Sequence, residues 1–334
     1  TIQVQKSVAN RPWNDGETFG FTLKPVGDAP MPDDQTELTA TATAGNTPAS
    51  FPQITYTKAD LGDDMQKIFT YTVTENLPSD VTADAPTKDG LTYDTTPQTV
   101  TVTVTDNGYG TITATPSAAP TFTNTYETAD GTATISIQKT LTGRDWLDTD
   151  SFSFTVTRQT ENAPMPDGAA GDSVTVDVAP SAAGTAGTAN PISGSTGTIT
   201  FTKADLGGAM TKDFTYTVTE NDTTLGGVTE DTHTATVTIR VTDTGTGSIT
   251  AVPTYSNNAE GANESDAANT SAAAFTNTYT ATPVEQTLNV EKVVTGANAP
   301  EDFEFALALS GSNQGLVDGV SGLDDNIATI AGTD

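Results

Sequence analysis

Hydrophobic and polar positions alternate along most of this chain, and threonine fills many of the polar ones. TVTVTVTD at 99–106 and TATVTIRVTD at 234–243 place small or branched apolar residues on one side and threonine mostly on the other. A strand points successive side chains to opposite faces, so a period of two predicts β-strands with one buried face. FTYTVTE occurs at 69–75 and again at 214–220, and FTNTY at 122–126 and 275–279. DNGYG at 106–110 and DTGTG at 243–247 suit the turns of hairpins. No segment sustains a period of 3.6. The nearest is TKADLG at 57–62 and 202–207, with Thr at an N-cap, Asp three residues on and Gly where a left-handed residue ends a helix. It predicts one or two helical turns crossing between sheets. The expected fold class is all-β.

The chain is also internally repeated. Trp13 matches Trp146, Phe19 and Phe21 match Phe152 and Phe154, and Pro30-Met31-Pro32 matches Pro164-Met165-Pro166. These landmarks read as core and loop packing. The spacing between equivalent residues grows along the repeat, which means insertions in the second copy. They fall at 179–198 and 256–273, are polar and of low complexity, and are expected to be long, mobile surface loops. Three units follow: domain 1 over 1–128, domain 2 over 129–281, and an incomplete third repeat over 282–334. In the third, LNVEKVVTG at 288–296 and DFEFALAL at 302–309 match the first two strands of the others. The connections at about 127–133 and 280–286 are short, which favours a stiff array.

Composition narrows the class. A net charge of −30 argues against nucleic acid or an anionic membrane as a partner. With no cysteine, neither disulfides nor thiol chemistry is available. No apolar run is long enough to insert into a membrane, and no signal peptide opens the sequence. The chain is read as a fragment of a longer protein whose targeting and anchoring segments lie outside it.

Three kinds of polar residue break the alternation on apolar faces. Lys6 follows Ile2 and Val4 and precedes Val8; Lys139 sits among Ile135, Ile137 and Leu141; Lys292 sits among Leu288, Val290 and Val294. Glu75 ends the face formed by Phe69, Tyr71 and Val73, and Glu220 the face formed by Phe214, Tyr216 and Val218. Asn124 lies between Phe122 and Tyr126, and Asn277 between Phe275 and Tyr279. An unpaired buried ammonium costs several kcal/mol, so the fold must neutralise each lysine or consume it. Lys, Glu and Asn together suit intramolecular transamidation. Desolvation frees the lysine lone pair and raises the glutamate pKa. A protonated glutamate hydrogen-bonds the asparagine carbonyl, polarises it and relays the amine proton to departing ammonia. Folding supplies the proximity. The alternative is a buried Lys–Glu ion pair with Asn as a hydrogen-bonding neighbour, although such pairs stabilise weakly.

Taken as a set, the opening lysine strand, the FTYTVTE strand, the VTVTD hairpin and the terminal FTNTY resemble the streptococcal pilin isopeptide-linkage domain family of Gram-positive surface proteins. The resemblance spans 1–281 as two copies and extends weakly over 285–309. It implies tandem immunoglobulin-like β-sandwiches in which a Lys–Asn isopeptide bond joins the first and last strands, assisted by an acid. By position it assigns Lys6–Asn124 with Glu75, and Lys139–Asn277 with Glu220. Lys292 is the unpaired candidate, since FTYTVTE and FTNTY do not recur before Asp334.

Other candidate chemistry is thin. His233, the single histidine, precedes a strand and reads as a core or surface residue. Zinc sites and Ser-His-Asp triads lack their parts, and no cofactor is expected. Asp60, Asp63 and Asp64 read as a solvated turn rather than a calcium site, since copy two keeps only Asp205. The expected protein is no ordinary enzyme. It is a structural stalk or shaft module, extracellular and anchored to a cell wall, whose partners are neighbouring repeats. The second reading is an adhesin that contacts a host ligand through the long loops of domain 2.

Overall fold

A computed structural model describes residues 1–32, 35–180, 190–257 and 264–284, then 289, 291–293 and 295–296, and the strands at 302–306 and 327–331. Residues Thr1–Ala281 form one compact unit and Thr282–Asp334 another.

In the first repeat the strands are β1 (Gln3–Ala9), β2 (Thr18–Val26), β3 (Leu38–Thr43), β4 (Ala49–Ser50), β5 (Gln66–Glu75), β6 (Thr87–Lys88), β7 (Leu91–Thr92), β8 (Gln98–Asp106), β9 (Ile112–Pro116) and β10 (Thr121–Tyr126). One sheet runs β4-β1-β10-β7-β6 and the other β3-β2-β5-β8-β9. Their facing sides bury Val4, Phe21, Leu23, Tyr71, Val73, Val100, Val104, Phe122 and Tyr126. Threonines on the outer face of the β3-β2-β5-β8-β9 sheet pair across strands, as in Thr70 with Thr101 and Thr72 with Thr99, the contact that favours threonine on a half-exposed sheet. β1 and β10, first and last in the repeat, lie side by side and parallel, with Lys6 opposite Phe122 and Val8 opposite Asn124.

The second repeat repeats this plan. Its strands are β11 (Gly131–Ala133), β12 (Ser136–Thr142), β13 (Phe152–Arg158), β14 (Ser173–Val178), β15 (Ile192–Ser195), β16 (Ile199–Phe201), β17 (Thr211–Glu220), β18 (Val228–Thr229), β19 (Thr234–Asp243), β20 (Ile249–Ser256) and β21 (Ala273–Tyr279). The sheets run β15-β12-β21-β18 and β14-β13-β17-β19-β20, and β11 pairs with β16. Again first and last strands are parallel: Lys139 faces Phe275 and Leu141 faces Asn277. A separate core forms around Trp146, Phe154, Phe201, Phe214, Tyr216 and Phe275. The architecture is the expected tandem β-sandwich.

TKADLG forms the expected turn of helix in both copies. α1 (Lys58–Leu61) is α-helical and Lys203–Leu206 is a tighter 3₁₀ turn. The Asp60 carboxylate accepts from the Thr57 backbone N–H at 2.6 Å, and Asp205 from that of Thr202 at 2.7 Å. The Pro-Met-Pro loops supply acceptors to the core: Tyr71 donates to the Pro30 carbonyl at 2.8 Å and Tyr216 to that of Pro164 at 2.7 Å.

Two expectations are corrected. Within the insertion at 179–198, residues 190–195 are ordered by pairing: β15 runs antiparallel to β12, and Asn190 bonds both backbone groups of Leu141. Within 256–273, Asn257 is fully buried and donates to the Asn269 and Ala272 carbonyls. α2 (Glu264–Ala267) follows in chain order and carries buried Asp266. Polarity of composition there does not mean exposure. Residues 181–189 and 258–263 lie outside the described residues.

The two sandwiches of the first unit meet through polar contacts. The Tyr126 hydroxyl donates to Asp243 Oδ1 at 2.7 Å and accepts from Gly247 N–H at 3.0 Å. Lys203 pairs with Asp243, and its Nζ lies 4.8 Å from the Tyr126 ring centroid. Gly247 has φ +87°, and a Cβ there would lie 2.7 Å from the Gly90 nitrogen.

The second unit contains a hairpin-like pair, β22 (Asp302–Ala306) with antiparallel β23 (Ile327–Ala331). β22 falls in the predicted 302–309 strand, whose residues 307–309 are outside the described residues. The predicted strand at 288–296 is not formed at 291–293, where Lys292 is exposed. In the complete repeats this strand is held by pairing with the last strand and an edge strand, and no such pairing is found here among the described residues. Leu288, Val290 and Val294 are not described.

The close approach at Gly247 predicts that Gly247→Ala will loosen the joint while leaving both sandwiches folded. Forcing alanine into a left-handed conformation costs about 1–2 kcal/mol. Limited proteolysis should show faster cutting near residues 127–133, with circular dichroism unchanged.

Candidate functional site

Each sandwich gathers one predicted Lys, one Glu and one Asn in its core. Lys6 occupies an inward position of β1, beside Ile2 and Val4, because the strand's period leaves it no other face. Its Nζ lies 2.7 Å from Glu75 Oε2, and neither side chain is exposed. Glu75 ends β5 on the opposite sheet, so the carboxylate reaches across the sandwich. Asn124 on β10 is fully buried, and its Nδ2 donates to Glu75 Oε1 at 2.7 Å. The Phe19 ring lies under the amine, 4.6 Å from its centroid.

The second site has the same geometry. Lys139 Nζ is 2.6 Å from Glu220 Oε2, with side-chain exposures of 0% and 2%. Asn277 Nδ2 donates to Glu220 Oε1 at 2.7 Å. Phe152 and Phe154 flank the amine at 5.0 and 6.0 Å. Lys and Asn stand two positions apart along parallel neighbouring strands in both copies, close enough for a long side chain to span.

Burial dominates the electrostatics. It pushes the Lys6 and Lys139 amines below their ordinary value, against the pull of the partner carboxylates. It pushes the Glu75 and Glu220 carboxyls above theirs, against the pull of the lysines and asparagines. Both shifts favour one proton arrangement, a neutral amine facing a protonated acid. The carboxyl group is bonded through one oxygen to a nucleophile and through the other to an amide nitrogen. It can therefore carry a proton from the first to the second.

One detail differs from expectation. The glutamate does not bond the asparagine carbonyl. That oxygen accepts the backbone N–H of Asp94 at 2.9 Å, and in the second copy that of Asp231 at 2.7 Å. A main-chain N–H can only donate, so it fixes Oδ1 on its own side and turns Nδ2 towards the acid. Sequence reasoning passed over these aspartates; the available signal was an Asp shortly before the Thr-rich strand in both copies, at TYDTT and TEDTH.

His233 is buried, its ring stacked on Phe275 at 4.5 Å and its Nδ1 2.6 Å from Asp231 Oδ1. Asp231, His233 and Asp266 form a buried cluster whose donor atoms lie within 4.8 Å of one another. Their types suit a divalent metal, but the 2.6 Å separation is that of a hydrogen bond. Burial works to raise the Asp231 carboxyl, and bonds from His233 and Thr276 outweigh it, holding the group below the usual range. Asp266 lies in an insertion, which hid the cluster from sequence reasoning. Among the described residues no helix is long and apolar enough to cross a membrane.

The family described as FctA, Spy0128-like isopeptide containing domain, matches the chain twice, over residues 2–127 and 135–280. No curated protein matches it. Among solved structures, the major pilin from Streptococcus pyogenes is similar at 17% identity, covering 83% of this chain and 98% of the pilin, with a TM-score of 0.26. The T-13 major pilin from Streptococcus pyogenes is similar at 16% identity, covering 83% and 96%, with a TM-score of 0.23. Likeness at these scores adds nothing to the family match.

Glu75→Ala would leave the buried Lys6 without its carboxylate. The first sandwich is expected to stay folded but to lose about 3–5 kcal/mol, the usual cost of breaking a buried pair. Calorimetry should show one transition lowered and the other unmoved; an unchanged melt would mean that Lys6 does not depend on Glu75.

Proposed function

Since the chain belongs to the family of FctA, Spy0128-like isopeptide containing domains, we propose that Lys6 is joined to Asn124, and Lys139 to Asn277, by autocatalytic amide bonds. On this reading the crosslinked sandwiches are structural links in a stalk or shaft at the surface of a Gram-positive cell, with neighbouring repeats as their partners.

The observation that carries the reading is the shared carboxylate. In both copies one oxygen touches the lysine nitrogen and the other the asparagine nitrogen. The neutral Nζ attacks Cγ of the asparagine. The protonated glutamate gives its proton to Nδ2, which leaves as ammonia, and takes one from Nζ in its place. The C–N bond to Nδ2 breaks, a C–N bond to Nζ forms, and the glutamate returns to its starting state. Each site reacts once, so this is maturation and not turnover. A resting ion pair explains the Lys–Glu contact, but gives no reason for the acid to hold the asparagine nitrogen in both copies.

The bond would tie the first strand of a repeat to the last. Load entering at β1 and leaving at β10 then bypasses the rest of the sandwich. Closing so long a loop should stabilise each repeat by roughly 4–5 kcal/mol through the unfolded chain. The adhesin reading has less support, because the described part of the 256–273 insertion bonds to its own sandwich: Asn269 donates to Gln138 of β12, and Thr276 of β21 donates to Asp266.

The purified chain is expected to be lighter than its sequence mass by two molecules of ammonia, and a Glu220→Ala variant by one. An intact mass equal to the calculated one would overturn the proposal.

A further inference from the structure

Attack on an amide carbon drives negative charge onto its oxygen, and something must receive that charge. Glu75 and Glu220 are already engaged through both oxygens, one on each nitrogen. In both copies the asparagine Oδ1 instead faces a main-chain donor, the N–H of Asp94 or of Asp231. These two residues lie outside the strands, between β7 and β8 and between β18 and β19. Their N–H groups are thus not committed to a ladder.

The aspartate side chains fix that donor. Asp94 Oδ1 accepts the N–H of Thr96 at 3.1 Å, and Asp231 Oδ1 that of His233 at 3.2 Å. Both are the local turn that Asp forms with a residue two positions on. In the second copy Asp231 Oδ2 also accepts the N–H of Thr276, the neighbour of Asn277, at 2.9 Å. One residue thereby grips the acceptor strand with its side chain and faces the reacting oxygen with its backbone.

We propose that the backbone N–H groups of Asp94 and Asp231 are the oxyanion donors of the crosslinking reaction, and that the aspartate side chains position them. The inference rests on the crosslink proposed above. As Nζ adds to Cγ, the C=O π pair moves onto Oδ1 and is held by the N–H. When ammonia leaves with its bonding pair, the oxygen pair returns to re-form C=O. The negative charge of the aspartate is not what the reaction uses: it favours the protonated lysine in both copies and so opposes attack. The useful property is acceptor geometry, which asparagine shares at position 94, where one oxygen accepts; at position 231 both oxygens accept main-chain N–H groups, and asparagine would keep only one acceptor.

The test is a time course of ammonia loss, by intact mass, from the full chain made by cell-free synthesis. The untouched repeat is an internal control for folding and handling. Placing 2-hydroxysuccinate at position 231 by nonsense suppression replaces the N–H with an ester oxygen and keeps the side chain. Bond formation in the second repeat should slow by about 10²–10³-fold, the usual cost of losing one oxyanion donor, while the first repeat keeps its rate. The slowing should be uniform across pH, because the Lys139–Glu220 pair is untouched; a displaced pH profile would mean a disturbed pair and would overturn the assignment. Asp94→Asn should crosslink the first repeat at least as fast as the parent, and Asp94→Ala more slowly, since only Oδ1 of Asp94 accepts a main-chain N–H. Should the ester variant at 231 fail to fold, this first-repeat comparison decides alone. An undiminished rate in the ester variant, or equal rates for the Asn and Ala variants, would refute the proposal. A parent chain that never loses ammonia would instead refute the crosslink itself.

Discussion

A lysine amine enclosed by phenylalanine rings, with one carboxylate for company, is a costly thing to build into a β-sandwich. Water is excluded and the rings offer only weak attraction. The acid therefore has to come from the opposite sheet, and the amide has to come from the strand next door. That requirement fixes which residues may end β5 and β17 and which may sit mid-strand in β10 and β21. It also makes the two sheets interdependent: a shift in register by one residue would move Lys6 or Lys139 to solvent and dissolve the site. Burial pushes each lysine and its glutamate towards the neutral pair, against the pull of their opposite charges.

The surrounding architecture is inexpensive by comparison. Threonine and β-branched residues alternate, and the threonines pair with one another across the outer faces. Such strands need little beyond correct alternation, which is why the same plan tolerates insertions in the second repeat. The joint between the sandwiches draws on different chemistry. Tyr126, Lys203 and Asp243 bond to one another there, beside two glycines that let backbones approach.

Much of this was legible in the sequence because the site consists of exceptions to a strict pattern. Lys6, Glu75 and Asn124 stand out since every second neighbour is apolar, and copy two repeats the exceptions in order. The all-β class and the helical turn at TKADLG followed from period and capping. What stayed hidden has no side-chain signature. The N–H groups of Asp94 and Asp231 are main-chain donors, and only their placement gives them a role. β15 lies in a Gly- and Ser-containing stretch without alternation, and it forms because β12 offers an unpaired edge. Asp266 lies in a segment whose composition suggested solvent. At 291–293 the pattern of a strand was present but its pairing partners were not found among the described residues, and pattern alone does not hold a strand.

The parallel pairing of first and last strands also governs timing. A chain emerges from the ribosome, or from a translocation channel, starting at its N-terminus. β1 is therefore among the first parts of its repeat to appear, while β10, its neighbour in the finished sheet, is the last. Throughout that interval the inner edge of β1 has no strand to pair with, and Lys6 has no asparagine. No partial length of the repeat can complete the sheet, so each sandwich closes only when its final residues arrive. Synthesis order thus becomes a built-in delay, and any chemistry that needs both strands waits for the whole repeat.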